Sequence, residues 1–431
     1  MKEIFKQLIV DSQQREFGDI VQRDYQIPLD TKKIVSLIGI RRSGKTWLLY
    51  DLITKLRKRV SPQNIVYINF EDDRLYPISL KDLDALVQAY YELYPDKRDE
   101  KVYFFLDEIQ TITGWERFVR RLYDTLNIQL FITGSSSKLL AGEIATALRG
   151  RTITYEIFPF SFAEYLRYRN IEVNLYSSKS QSYIKNAFAT YLVEGGFAEI
   201  FDEPPDLKRR ILQDYLDLII YRDIVERYRI KNHMLLKHLI KYLFVNIGTL
   251  VSITKLYNDY KSMGYRVSKE TLLEYVGYLE EAYAIFSVPI FRNSVKEEQR
   301  HPKKIYAIDN GFKSLFDAFL SKDYSKLYEN LAFLHLRRQT SQIYYFKGKQ
   351  EVDLYASLQQ KILLNVSYQI DDPRTLQREI ETLLEGMEWF GLDRSYLITA
   401  DEEKIIEKDG QTIEIKPMWK WLLEGMNEKN R

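Results

Sequence analysis

The residues with the most evident chemical purpose are Gly39, Arg41, Arg42, Ser43, Gly44, Lys45, Thr46 and Trp47, which fall in the run Gly39-Ile40-Arg41-Arg42-Ser43-Gly44-Lys45-Thr46-Trp47. The spacing G-x-x-x-x-G-K-T suits a phosphate cradle. Its glycines let backbone N–H groups face phosphate oxygens, and the following helix turns its positive end toward them. Lys45 would reach the β- and γ-phosphates, and the Thr46 hydroxyl would ligate magnesium. A strand–turn–helix with a chance lysine is the alternative. The placement speaks against it, because the run lies between an apolar segment at 34–38 and the helical pattern WLLYDLITKLRK. ATP and Mg2+ are therefore the expected cofactors.

Such a site also needs carboxylates. Asp107 and Glu108 close the apolar run KVYFFLDEIQ, where Asp107 would hold magnesium and Glu108 would polarise an attacking water. A helix cap with a solvated neighbour is the plainer reading of such a pair, and the phosphate loop some 60 residues earlier weighs against it. Thr133 and Ser135, in QLFITGSS, could bond the γ-phosphate or the lytic water, or simply form a turn and a cap. Arg149 and Arg151 precede another apolar run. Either could serve as an arginine finger toward a neighbouring subunit's nucleotide, and a surface salt bridge explains either one nearly as well.

The elements that must position these groups are short strands at 34–38, 64–71, 101–110, 129–136 and 152–158. Their continuous apolar character is that of a parallel sheet covered on both faces. All the candidate groups then gather at the carboxyl ends of the strands, where open α/β sheets bind ligands.

The set GIRRSGKT, NFEDDRL, FFLDEIQ, FITGSSSKLL, LRGRT and IFPFSFAEYL resembles the archaeal-type ATPases of the AAA+ superfamily, over essentially the whole chain. The resemblance implies that Asp107 is the Walker B aspartate, Glu108 the catalytic glutamate, and Ser135 or Thr133 the sensor. It implies a core strand order of 5-1-4-3-2. It also implies a helical lid that contributes a sensor arginine, for which Arg222 is the candidate and a structural ion pair the alternative.

The expected organisation is an N-terminal helical arm (1–33), an α/β ATPase core (34–158), a helical lid (159–235), a winged helix–turn–helix (236–310) and an α+β domain (311–431). In the winged helix, Ser252 and Ser268 are expected helix caps and Gly264 a helix stop. Lys269 and Thr271 would begin the recognition helix, with Arg292, Lys296, Arg300, Lys303 and Lys304 near DNA phosphates. Glu270, Glu274, Glu280, Glu281, Glu297 and Glu298 oppose that reading, and protein docking is its alternative. The last domain resembles the PD-(D/E)xK nuclease fold. However, Asn365 and Ser367 occupy its E-x-K positions, so a carboxylate and a lysine are missing and catalytic inactivity is expected.

Composition narrows the classes further. With 45% hydrophobic and 29% charged residues, the 431-residue chain has a globular make-up. The absence of cysteine excludes disulfides and thiolate chemistry and suits a reducing cytoplasm. Four histidines are too few for an all-His metal centre, and no apolar stretch is long enough to span a membrane. The net charge of +2 excludes wholesale capture of nucleic acid, so any DNA site must be local. Residues 231–310 carry twelve Lys/Arg against eight Asp/Glu, a modest patch of +4. The expected function is Mg2+-dependent ATP hydrolysis coupled to conformational work on DNA, within a homo-oligomer. A nucleotide-gated regulatory switch and an ATP-gated nuclease are the alternatives.

Overall fold

A computed structural model describes residues 1–134, 148, 150–316 and 324–424. Ser135 and Arg149 lie outside the described residues. The chain divides into two compact units, Met1–Phe158 and Pro159–Arg431.

The first unit is built on five strands: β1 (Ile34–Ile38), β2 (Ile65–Asn69), β3 (Val102–Asp107), β4 (Ile128–Gly134) and β5 (Thr152–Glu156). All neighbours pair in parallel, in the order β2-β3-β4-β1-β5. Read from the other edge, this is the 5-1-4-3-2 order that the resemblance implies. Every residue of β1, β3 and β4 is buried, as strands covered on both faces require. The helices are α1 (Lys2–Gln14), α2 (Lys45–Arg57), α3 (Leu83–Leu93) and α4 (Trp115–Thr125). Leu48, Leu49, Leu52 and Ile53 of α2 form one core with Val35, Leu37, Tyr67, Phe105 and Phe131 of the sheet. Burying such side chains contributes about 1.5–3 kcal/mol each, which fixes the start of α2 against the ends of β1 and β3.

The second unit opens with helices α5 (Phe162–Tyr168), α6 (Ser178–Glu194) and α7 (Pro205–Leu218), followed by a π-helical stretch, Ile219–Glu226. Next come α8 (His233–Val245), β6 (Leu250–Val251), α9 (Ile253–Ser262), α10 (Lys269–Glu281), β7 (Ile285–Val288), α11 (Val295–Arg300) and β8 (Lys303–Ala307). The Ser252 and Ser268 side chains accept hydrogen bonds from Lys255 N and Thr271 N, as N-caps do. Strands β6, β8 and β7 form an antiparallel sheet with β8 in the middle. The segment between β7 and β8 holds the short helix α11.

After α12 (Asn310–Ser314) and α13 (Ser325–Arg337) come β9 (Ile343–Lys347), β10 (Glu351–Ala356), β11 (Ile362–Val366), α14 (Pro373–Phe390), β12 (Arg394–Thr399), β13 (Lys404–Lys408), β14 (Gln411–Pro417) and α15 (Met418–Glu424). These six strands form one mixed sheet, ordered β13-β14-β12-β11-β10-β9. Helix α14 covers it through Ile380, Leu383 and Met387. Among the described residues, no helix is long and apolar enough to cross a membrane.

Candidate nucleotide site

The loop between β1 and α2 has the backbone of a phosphate cradle. Arg42 (φ 65°) and Gly44 (φ 91°) are both left-handed, which turns successive N–H groups to one side. Gly39 is required for a different reason: a Cβ there would stand 2.2 Å from the Ile157 carbonyl oxygen. Lys45 opens α2 and is buried, and its ammonium donates to the carbonyls of Gly39 (3.1 Å) and Ile40 (3.0 Å). Trp47 is half exposed one position beyond Thr46. Arg41 lies 3.6 Å from Glu71, at the end of β2.

Asp107 ends β3 with no exposed surface. Its Oδ2 accepts from the Thr46 hydroxyl at 2.8 Å and the Tyr67 hydroxyl at 2.9 Å, and its Oδ1 accepts from the Thr133 hydroxyl. Burial pushes the carboxyl above its ordinary range. The Thr133 bond works against that rise, and neighbouring Glu108 adds to it. A buried carboxylate beside a threonine hydroxyl is the hard-oxygen donor pair that suits Mg2+, so Thr46 and Asp107 are the residues that would hold the ion. When bound, magnesium would neutralise charge on the phosphates.

Glu108 adopts a left-handed conformation (φ 53°), uncommon for a residue with a side chain. Its backbone N–H donates to Thr133 Oγ1 at 2.9 Å, and its carboxylate accepts from the Gln110 side chain. Thr133 thus ties β4 to both acidic residues. Sequence reasoning names Lys45, Thr46, Asp107, Glu108 and Thr133 separately, and the structure brings the last four into one hydrogen-bonded group.

Sequence reasoning misses three residues here. Tyr67 is one. Another is Arg23, which is buried and donates to the carbonyls of Ser43 (3.0 Å) and Phe158 (2.7 Å). The third is Tyr25, whose hydroxyl accepts from Phe158 N at 2.9 Å. A tyrosine inside an otherwise apolar strand was the only signal for Tyr67. Arg23 and Tyr25 lie in a stretch without periodicity, which gave none.

Arg151 pairs with Asp124 at 3.0 Å, which is the salt-bridge reading of that residue. Arg222 lies in the π-helical stretch of the second unit, next to buried Asp223.

Among the candidate DNA contacts, Lys269, Lys296, Arg300 and Lys303 are exposed, and Thr271 is half-buried in the first turn of α10. Arg292 is half-buried and donates to the Phe291 and Lys347 carbonyls. Lys304 must be withdrawn from that group. It is 2% exposed, and its ammonium lies 3.0 Å from Glu329, 3.0 Å from Glu351 and 2.9 Å from Asp353. Strand alternation sends Lys303 outward and Lys304 inward. Asn365 is likewise occupied: its side chain accepts from Asp353 N at 3.1 Å and donates to Glu379 at 2.7 Å.

Comparison with known proteins agrees with the first unit's geometry. Residues 31–166 match the AAA domain family, and residues 185–323 match a domain of unknown function (DUF8612). The first unit thus carries an AAA domain, and the chain belongs to one family with the two full-length relatives that follow. It is 36% identical over 436 residues to "Uncharacterized protein MJ1544" of Methanocaldococcus jannaschii, covering 98% of this chain and 96% of that protein. It is 31% identical to an "Uncharacterized protein" of Haemophilus influenzae, covering 92% and 95% of the two chains. The solved Aeropyrum pernix ORC1 protein in complex with DNA aligns at 11% identity over 77% of this chain and 91% of that one, with a TM-score of 0.28. A likeness that loose carries no argument about this chain.

Proposed function

We propose that the protein is a Mg2+-dependent ATPase that couples hydrolysis to conformational work on DNA, acting as a homo-oligomer. The observation that carries the enzymatic half is the single hydrogen-bonded group of Thr46, Asp107, Glu108 and Thr133 beside the phosphate loop. In this reading Lys45 neutralises the β- and γ-phosphates, Thr46 and Asp107 hold the metal, and Glu108 polarises the attacking water while Thr133 fixes its backbone. Arg149 or Arg151 is proposed as the arginine finger toward a neighbouring subunit's nucleotide, and Arg222 as the sensor arginine. The DNA half is supported by exposed Lys269, Lys296, Arg300 and Lys303 in the segment from α8 to β8, which we take as a winged helix. The C-terminal sheet is assigned a docking role without nuclease chemistry.

A second reading is a nucleotide-gated switch whose winged helix docks protein. The burial of Lys304 favours it, because it removes one cation from a patch that was modest at the outset. Steady-state ATP hydrolysis with no DNA, and with linear, single-stranded or four-way junction DNA, separates the two readings. Stimulation by one DNA form supports coupling, and turnover indifferent to every form supports the switch. Four phosphate contacts would give DNA binding a log–log salt slope of about −3 to −4. A slope near zero rejects the DNA interface.

A further inference from the structure

We propose that Tyr67 is a positioning residue for the metal site, holding the Asp107 carboxylate in the orientation that magnesium requires, with Tyr50 and Arg15 behind it. The inference rests on the Mg2+-nucleotide reading above and adds to it residues that no motif contains.

The geometry begins with register. Strand β2 pairs with β3 so that Tyr67 faces Phe105 and Asn69 faces Asp107. Residues two apart on a strand share a face, so the side chains of Tyr67 and Asp107 emerge on the same side of the sheet, beneath α2. From there the phenol reaches Asp107 Oδ2 at 2.9 Å, the same oxygen that Thr46 Oγ1 reaches at 2.8 Å. Thr133 holds the other oxygen. The terminal torsion of an aspartate is broad and roughly two-fold, so a carboxylate is not oriented by its own stereochemistry. Three donors from β2, α2 and β4 fix its plane. If Thr46 turns its lone pairs to a cation, Tyr67 keeps an unchanged donor on Oδ2.

Tyr67 is itself held. Its hydroxyl lies 3.3 Å from that of Tyr50, and Tyr50 accepts from Arg15 Nη1 at 3.4 Å. Because Tyr67 spends its proton on Asp107, Tyr50 is the donor of that pair. The order of donation therefore runs Arg15 to Tyr50 to Tyr67 to Asp107, and each bond polarises the next. The rings of Tyr50 and Tyr67 pack edge to face at 5.4 Å, and Phe17 stacks on Tyr50 at 4.2 Å, which limits movement of the relay.

A tyrosine that only fills the core would behave differently from one that orients a ligand, and Tyr67→Phe distinguishes them because it retains the ring. The experiment is equilibrium binding of a fluorescent ATP analogue to the full chain, titrated with Mg2+, in a Glu108→Gln background that suppresses turnover. We expect Tyr67→Phe to raise the Mg2+ concentration for half-maximal tightening by on the order of 10- to 100-fold, the loss of one hydrogen bond to a charged group. Tyr50→Phe should raise it by about twofold, and neither should alter nucleotide affinity without Mg2+. Thermal unfolding of each variant checks that it is folded. If Tyr67→Phe and Tyr50→Phe both superimpose on the parent, or if they weaken Mg2+-free binding equally, the positioning role is overturned. A parent protein whose nucleotide affinity ignores Mg2+, while Lys45→Ala still abolishes binding, overturns the magnesium reading itself. That result is distinct from a parent that responds to Mg2+ and a variant that does not differ from it.

Discussion

Asp107 in the first unit and Asp353 in the second are both strand carboxylates drawn out of water, and they are satisfied in opposite ways. Asp107 is held by three neutral hydroxyls, from Thr46, Tyr67 and Thr133. Those bonds orient it but bring no positive charge, and burial raises its proton affinity. Asp353 shares a buried ammonium with Glu329 and Glu351. Burial works against the charge on Lys304, but Asp353, Glu329, Tyr306 and Glu351 outweigh it and raise its proton affinity well above normal. One cation among three carboxylates is not full compensation, and Glu329 is pushed up to about 7 by burial despite Lys304. The difference shows what separates a site from a brace. Hydroxyl donors prepare a carboxylate for a cation from outside, whereas a built-in ammonium occupies the same coordination.

The contrast predicts that charge removal should cost activity in one cluster and stability in the other. The largest effect is expected from Glu108→Gln, which should cut ATP hydrolysis by on the order of 10²–10⁴-fold and leave nucleotide binding intact. Wild-type turnover in that variant would show that the water is activated elsewhere. Next, Lys304→Met should lower unfolding free energy by about 3–5 kcal/mol in urea titrations, because it leaves three half-buried carboxylates without their ammonium, with nucleotide affinity unchanged. A loss under about 1 kcal/mol would mean that the brace is ornamental. Asp107→Asn should act in the reverse direction, abolishing Mg2+-dependent hydrolysis while raising the urea midpoint, since the amide carries no charge to bury. If it destabilises the fold, the two clusters are alike after all.

A separate effect concerns pH. Asp309 accepts from Gly196 N (2.7 Å) and Gly311 N (2.8 Å), and burial pushes its carboxyl up to about 7 against those bonds and nearby Arg338. A carboxyl whose folded value is raised favours the folded state while protonated. Its contribution is full below about pH 4 and is lost as pH rises through about 7. Subtracting the Asp309→Asn stability profile from that of the parent should leave a decline across that window. A flat difference would place Asp309 among ordinary ionised caps.

The phosphate loop, Asp107, Glu108 and Thr133 were legible because local spacing encodes them: a strand end, a glycine turn and a helix start lie within a dozen residues. Tyr67 was not, since its role depends on which strand pairs beside β2 and in what register, and neither is a local property. Lys303 and Lys304 read as one basic pair, and only the alternation of β8 divides them. The absence of a carboxylate and a lysine at Asn365 and Ser367 was plain in the sequence. The arrival of a lysine from β8, at a separation of 49 residues from Asp353, was not. Helix caps at Ser252 and Ser268 were readable for the same reason as the phosphate loop, since each acts on an N–H three residues away.

The Lys304 brace also has a consequence for dissecting the polypeptide. A fragment starting at residue 311 would contain Glu329, Glu351 and Asp353 but not the strand that carries their counter-ion. It would also lose Ala307, whose N–H and carbonyl are both hydrogen-bonded by the Asn330 side chain, and Pro302, whose carbonyl accepts from Tyr345. Shortened proteins for expression or crystallography should therefore keep β8 attached to the C-terminal sheet, and cuts are better placed upstream of β7.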